Sequence, residues 1–362
     1  MKSDHGVTRR NFLFSAALSA GAITGSCSFS RFKFISNSLS TLQNPGPEPL
    51  PPTRAYPEMA AATVAIVGIK GSIENAVREA VAASGGMEDF EKGQKVMIKP
   101  NATTPSKSVT TNPEVIRAVI RLVKERGCHA MVGDRSAFSD LEAMKTCGYE
   151  QVCREEGAEL YPWINSDYLR FFPKQRYWTD GFRFPKILTE VAHWISVPVL
   201  KNHQVTAAEF TCCLKAFVGV CHPEDRFQKG DNALHQKNIS EKIAELNLCS
   251  RPALNIVDAT NIMVHGGPGG LVKPIWVRSD LILASRDRVA CDSLALATLK
   301  FFGAEKNVEL PYVQKSVWDQ VQIYRAAELG IGQADPAHIK IEDAEVPNFD
   351  QIQGAWREES NQ

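Results

Sequence analysis

The sequence lacks any excess of charge of one sign. Its 41 Lys plus Arg face 41 Asp plus Glu, for a formal net charge of zero. No long-range field would gather nucleic acid or anionic lipid, which excludes a general polyanion binder. Also missing are Cys-x-x-Cys, His-x-x-x-His, a Gly-x-Gly-x-x-Gly between strand and helix, and a P-loop. These absences withdraw support from a closed zinc site, a four-Cys iron–sulfur cluster and a nucleotide-binding fingerprint. No internal repeat is present, and no apolar run reaches the ~20 residues that span a bilayer as a helix. What remains is a globular composition, 44% hydrophobic and 23% charged over 362 residues. That is enough for one large α/β domain or two of ordinary size.

What is there begins with an address. Thr8-Arg-Arg-Asn-Phe-Leu-Phe14 precedes a mildly apolar run from Ser15 to Ile23 that holds no acidic residue. This is the anatomy of a secretory signal, and the paired Arg9 and Arg10 resemble a twin-arginine export signal. Residues 1–27 are therefore expected to direct the folded protein to the periplasm or cell envelope through the twin-arginine machinery. Cys27 follows Thr24-Gly25-Ser26, a sequence close to a lipoprotein cleavage box but with Thr where an aliphatic residue is usual. Lipidation at Cys27 and simple cleavage near Ser26 both stay open, and membrane contact is expected only through the signal or such an anchor. Residues 28–62 read as a linker, because the prolines from Pro45 to Pro57 fix φ and remove backbone donors.

From residue 63 the pattern alternates strand and helix. Thr63–Gly68 and Lys95–Lys99 are short β-branched runs, and Ser72 caps a helix running to Ala83. Asn112 and Pro113 open an amphipathic helix to Arg126, after which Cys128–Val132 returns as a strand. Further strands are expected at 194–200, 253–257 and 280–284, with helices at 210–220, 239–248, 289–302 and 312–329. The alternation predicts an α/β fold, a mostly parallel sheet with helices on both faces, as one domain over 63–345 or two lobes sharing a cleft. Residues 346–362 read as a C-terminal tail.

Candidate chemistry gathers at strand ends, where open α/β sheets bind ligands. Lys99 and Asn101 close one strand and offer a charge and an amide to an anionic or carbonyl group, or else shape a turn. Asp134 closes another strand, as a base, a ligand or an Asx-turn. Lys201-Asn202-His203, Lys215, His222 and His235 put three His and two Lys within one short stretch of a chain with eight His. Imidazoles are the usual ligands of transition metals, and a desolvated Lys is an acid, a base or an anchor. Lys215 and His203 are thus candidate catalytic groups with Asp134, while His203, His222 and His235 are candidate metal ligands. Lys201, Asp258, Asp292 and the glycines Gly267 and Gly269 of a Gly/Pro loop complete a candidate binding set for substrate or cofactor. Eight cysteines follow Cys27, among them the vicinal Cys212 and Cys213. They can act as soft ligands or as small hydrophobes packing a helix.

Laid out in order, these residues resemble the family called domain of unknown function 362. The likeness rests on Val96-Met-Ile-Lys-Pro-Asn101, Thr110–Val115, Gly133-Asp134 and Val197-Pro-Val-Leu-Lys-Asn-His203. It continues through Leu214–Gly219, Asp258–Gly269 and Ser285-Arg-Asp-Arg-Val-Ala-Cys-Asp292. Twin-arginine signals occur in that family. Some of its members carry a ferredoxin-like segment of four closely spaced Cys, which this chain does not have. The order His203, Lys215, then His222 or His235 is also similar to the nickel-pincer lactate racemases, although the spacing differs. That likeness implies a metal or organometallic group near Lys215.

The function expected from these residues is an exported enzyme with a metal or other cofactor, doing redox or proton-transfer chemistry on a small oxygenated molecule. The alternative is a non-catalytic envelope protein that captures a small anion.

Overall fold

The computed structural model describes residues 60–103, 109–136, 139–174, 177–203, 208–227, 230–267 and 272–358. Strand β1 (Ala62–Gly68) leads to helix α1 (Ile73–Ala83), whose N-terminus is capped by the Ser72 hydroxyl accepting from Asn75 N at 3.1 Å. Strand β2 (Lys95–Pro100) precedes α2 (Pro113–Glu125), where Asn112 accepts from Glu114 N at 3.0 Å and Pro113 fills the first turn. After β3 (His129–Val132) come α3 (Asp140–Thr146), α4 (Tyr149–Glu156) and the two-residue strand β4 (Glu159–Leu160). A separate hairpin, β5 (Tyr168–Phe171) with β6 (Phe182–Pro185), occupies the polar, aromatic stretch.

Strands β7 (His193–Val197) and β8 (Val199–Asn202) divide the expected 194–200 strand at Pro198, which has no N–H to continue a ladder. Strand β7 pairs with β2, while β8 pairs with β9 (Phe210–Thr211), so Lys201 faces Thr211. The single helix expected over 210–220 is not formed. Cys212 is extended, a four-residue helix α5 (Cys213–Ala216) follows, and Phe217–Gly219 tightens to a 3-10 turn. Helices α6 (Pro223–Phe227) and α7 (Ile239–Leu246) precede the long antiparallel pair β10 (Leu254–His265) and β11 (Ile275–Ser285). Helix α8 (Arg288–Glu305) starts on Asp287, whose carboxylate accepts from Val289 N and Ala290 N, both at 2.9 Å.

The long terminal helix expected over 312–329 is also broken. It becomes α9 (Pro311–Gln314), a 3-10 turn at Val317–Asp319 and α10 (Val321–Glu328). The Ser316 hydroxyl accepts from Trp318 N at 3.3 Å, a local bond that competes with helix continuation. Strand β12 (Ile339–Ala344) then joins the sheet, and the stretch read as a tail contains α11 (Phe349–Arg357). That helix is part of the core. Ile352 and Trp356 are buried, and the Trp356 indole donates to Ser293 Oγ on α8 at 2.8 Å.

The main sheet runs β12-β1-β11-β10-β7-β2-β3-β4, with β8 and β9 branching from β10. The pairs β12·β1, β10·β7, β7·β2, β2·β3 and β3·β4 are parallel, and β11 is the antiparallel member between β1 and β10. One sheet therefore joins both halves of the described chain. Side-chain alternation splits the core as strand geometry requires. Val64 and Ile66 enter the cluster with α8, α10 and α11, whereas Ala65 and Val67 enter that with α1 and α2. Helices thus cover both faces. Among the described residues no helix is long and apolar enough to cross a membrane.

Candidate functional site

Parallel strands β2 and β3 bring their carboxyl ends side by side, which sets Lys99 beside Asp134. Lys99 Nζ stands 2.9 Å from Asp134 Oδ1, and both side chains are buried. Lys99 also donates to Pro100 O at 3.2 Å, while Asp134 Oδ2 accepts from Ala102 N at 2.8 Å. The Trp163 ring lies 5.8 Å from the Lys99 ammonium. Asn101 works on the turn itself. Its N–H donates to Thr111 Oγ1 at 2.8 Å, and its side-chain oxygen accepts from Thr103.

The second group of cations is built on the β8–β9 pair and the turn of helix after it. Lys201 is buried and donates to Val109 O. Lys215 is 6% exposed and makes no hydrogen bond or ion pair among the described residues. Burial pushes the amines of Lys201 and Lys215 down to about 7, and the charge of Lys201 adds to the shift at Lys215. Burial likewise holds the His203 imidazole well below its usual range, reinforced by Lys215, Lys201 and His235.

His235 is pinned in one tautomer. Its Nδ1 is 2.8 Å from Arg226 O, a carbonyl that can only accept, so Nδ1 carries the proton and Nε2 keeps its lone pair. Its ring stacks on Phe227 at 4.9 Å and 2°, and burial lowers its pKa to about 4. Arg226 itself is buried. It donates to Arg135 O at 3.4 Å and Ser136 O at 3.2 Å, while its Nε finds no acceptor among the described residues.

The three histidines expected to ligate a metal do not gather as ligands. His222 faces elsewhere, with Nδ1 accepting from Glu224 N at 3.3 Å and its ring edge-on to Tyr168 at 4.6 Å. Among the described residues the group whose ligand atoms converge is Cys212, Cys213 and Asp292, all within 4.8 Å of one another. Asp292 reaches from α8 to the start of α5. Its Oδ1 accepts from Cys213 N at 2.7 Å and its Oδ2 from Leu214 N at 3.1 Å, and burial raises its pKa to about 6.

Asp258 turns out to brace the scaffold. Its carboxylate accepts from Asn112 N at 2.7 Å and from Thr260 N and Oγ1 at 3.0 and 2.8 Å, tying β10 to the cap of α2. Gly267 sits just past the end of β10, and Gly269 lies outside the described residues.

The family model for the domain of unknown function DUF362 matches residues 96–297, which contain every residue of the site described above. The chain belongs to the DUF362 family. A curated relative, the thylakoid-associated protein sll1697 of Synechocystis sp., is 29% identical over 215 residues, 55% of this chain and 61% of the relative. The chain thus spans about three fifths of that relative's length. Among solved structures, the lactate racemase apoprotein of Thermoanaerobacterium thermosaccharolyticum is 14% identical, with a TM-score of 0.37 over 53% of this chain and 49% of that one. The α/β assignment stands on the sheet of this chain itself.

Within the DUF362 region the tertiary structure adds residues that the strand-end argument passes over. Arg226 and Trp163 carry no local motif; only packing places them beside Asp134 and Lys99. Gly219 backs onto the Lys99–Asp134 pair so closely that a Cβ there would lie 2.6 Å from Asp134 Oδ1 and 2.9 Å from Lys99 Nζ. The vicinal cysteines are visible in the sequence, but their carboxylate partner lies 79 residues away. All eight described cysteines are free thiols.

Proposed function

We propose that this DUF362 protein is an envelope enzyme that binds a small oxygenated anion against Lys201 and Lys215 and moves a proton on it. The observation that carries the reading is the isolation of Lys215, a buried amine with no hydrogen bond and no carboxylate partner among the described residues. An unpaired buried charge is costly, and a second one beside it more so. A carboxylate or phosphate ligand supplies the missing counter-charge for both amines. An amine shifted to about 7 exchanges a proton near neutral pH, and the imidazoles of His203 and His235 beside it stay neutral there. The address at Arg9 and Arg10 supports delivery to the periplasm by the twin-arginine route.

Thermal unfolding in the presence of small carboxylates and inorganic phosphate tests the binding step, and NMR in D2O tests exchange of C–H protons next to the carboxylate. Stabilisation that disappears in Lys215→Met supports the reading; stabilisation unchanged by Lys215→Met and Lys201→Met overturns it. Capture without turnover is the second reading. It is favoured by the Lys99–Asp134 contact, which occupies a strand-end carboxylate that would otherwise act as base. Binding without isotope exchange selects it.

A further inference from the structure

Two residues before Lys215, the facing ends of α5 and α8 assemble a donor set that the proposed proton transfer does not use. Cys212, Cys213 and Asp292 are fully buried, and their ligand atoms lie within 4.8 Å of one another. Cys212 Sγ and Cys213 Sγ are 3.8 Å apart. Two thiolates on one tetrahedral zinc, each at ~2.3 Å from the ion, stand about 3.8 Å apart, so the two sulfurs already have the separation of ligands. Cys291, one residue before Asp292 on α8, places its thiol within hydrogen-bonding reach of Cys213. Each oxygen of Asp292 accepts one backbone N–H and keeps a further lone pair.

We infer that Cys212, Cys213 and Asp292 form a binding site for one thiophilic divalent cation, zinc in the first instance, with Cys291 as the nearest further donor. The donor chemistry is soft sulfur with one oxygen, which suits zinc and disfavours magnesium or calcium. Binding displaces the two thiol protons to solvent, leaving two thiolates and one carboxylate around a dication. The residual negative charge has a counterpart in Arg288. This buried guanidinium lies 4.9 Å over the Phe217 ring, donates to Ser250 O at 3.0 Å, and extends its field to Cys213. Two thiolates, a carboxylate, a dication and Arg288 sum to neutrality, the condition for burial without a large desolvation penalty. Such a buried ion enters as the chain folds, and it ties α5, which is too short to hold itself, to the central helix α8.

The test is made on the full chain produced with zinc available and dialysed against EDTA. Metal content is measured for wild type, for the Cys212→Ser/Cys213→Ser double variant and for Cys128→Ser as a control. Expected is one zinc per chain in wild type and control, lost in the double variant. Because the double variant can fail to fold, wild type is also unfolded in guanidinium with a chromophoric chelator and titrated with cobalt on refolding. One zinc released per chain, and thiolate-to-cobalt charge-transfer absorption at one equivalent, support the site. Metal-free wild type that also shows no such absorption overturns the inference, as does metal content equal in wild type and a folded double variant.

Discussion

Gly219 and Asp134 approach so closely that any side chain at 219 would collide with the carboxylate: the Cβ of an alanine would lie 2.6 Å from Asp134 Oδ1. The backbone of the turn after α5 is thus pressed against the ion pair that joins β2 to β3. This contact links the two cationic regions of the protein, since Lys215 lies on α5 directly before that turn. Gly219→Ala is expected to displace the pair and destabilise the fold by roughly 1–3 kcal/mol, the range for overpacking. Chemical denaturation measures this, and an unchanged midpoint would show that the turn yields freely.

Breaking the ion pair from one side should cost more than removing both charges. Lys99→Met leaves Asp134 buried and uncompensated, a change in the range of about 3–5 kcal/mol, whereas Lys99→Met with Asp134→Asn recovers part of that loss. A double-mutant cycle by urea unfolding reads the coupling directly. Additive effects would mean that the two side chains do not sense each other.

Stability should rise with pH in two windows. Lys201 has a folded pKa of about 7 against an ordinary value of 10.5, so between these the unfolded chain holds the proton that the folded chain has released. Folding is then favoured progressively as pH rises from 7 towards 10.5. His235, lowered to about 4 from 6.5, acts in the same sense between those values. Urea midpoints across both windows, with Lys201→Met and His235→Gln for comparison, test the assignment. A midpoint whose pH slope is the same in wild type and variants would contradict it.

The C-terminal helix should behave as core. Trp356 packs edge-on against Trp318 at 5.6 Å, accepts the Trp318 indole N–H on its carbonyl at 3.0 Å, and bonds Ser293 through its own. Trp356→Ala is expected to cost about 3–5 kcal/mol. A thermal midpoint unmoved by this change, or by truncation after Asn348, would show that α11 is dispensable.

Asp258 offers a contrasting test, because its carboxylate is engaged by Asn112 and Thr260. Asn at this position keeps the shape but replaces one acceptor with a donor facing the N–H groups of Asn112 and Thr260. The expected loss is about 1–3 kcal/mol, with anion-induced stabilisation retained. Loss of the ligand response with unchanged stability would move Asp258 into the binding site.

Much of this was legible from residue order. Ser72, Asn112 and Asp287 cap helices where their side chains and the following apolar period say they should, because a cap involves only the next three residues. Lys99, Asp134 and Lys201 fall at strand ends for the same local reason. Legibility failed where a distant partner intervened. Cys212–Val220 carries apolar residues at helical spacing, yet pairing of Thr211 with Lys201 and the carboxylate of Asp292 start the helix late and keep it to one turn. The 312–329 segment broke at Ser316, and the Trp318 beyond it is anchored on α11.

The sequence by itself determined the α/β alternation, the family and the concentration of lysines and histidines after β7, since each follows from periodicity or short motifs. Only the tertiary structure decided which of those groups act together. It set His203 beside Lys201, Lys215 and His235, left Lys215 without a partner among the described residues, and joined Cys212 and Cys213 to a carboxylate on a helix far along the chain. The physical reason is that burial and electrostatic free energy sum over everything within a few ångströms, whatever its position in sequence. Periodicity and capping reach no further than a turn or two of the chain.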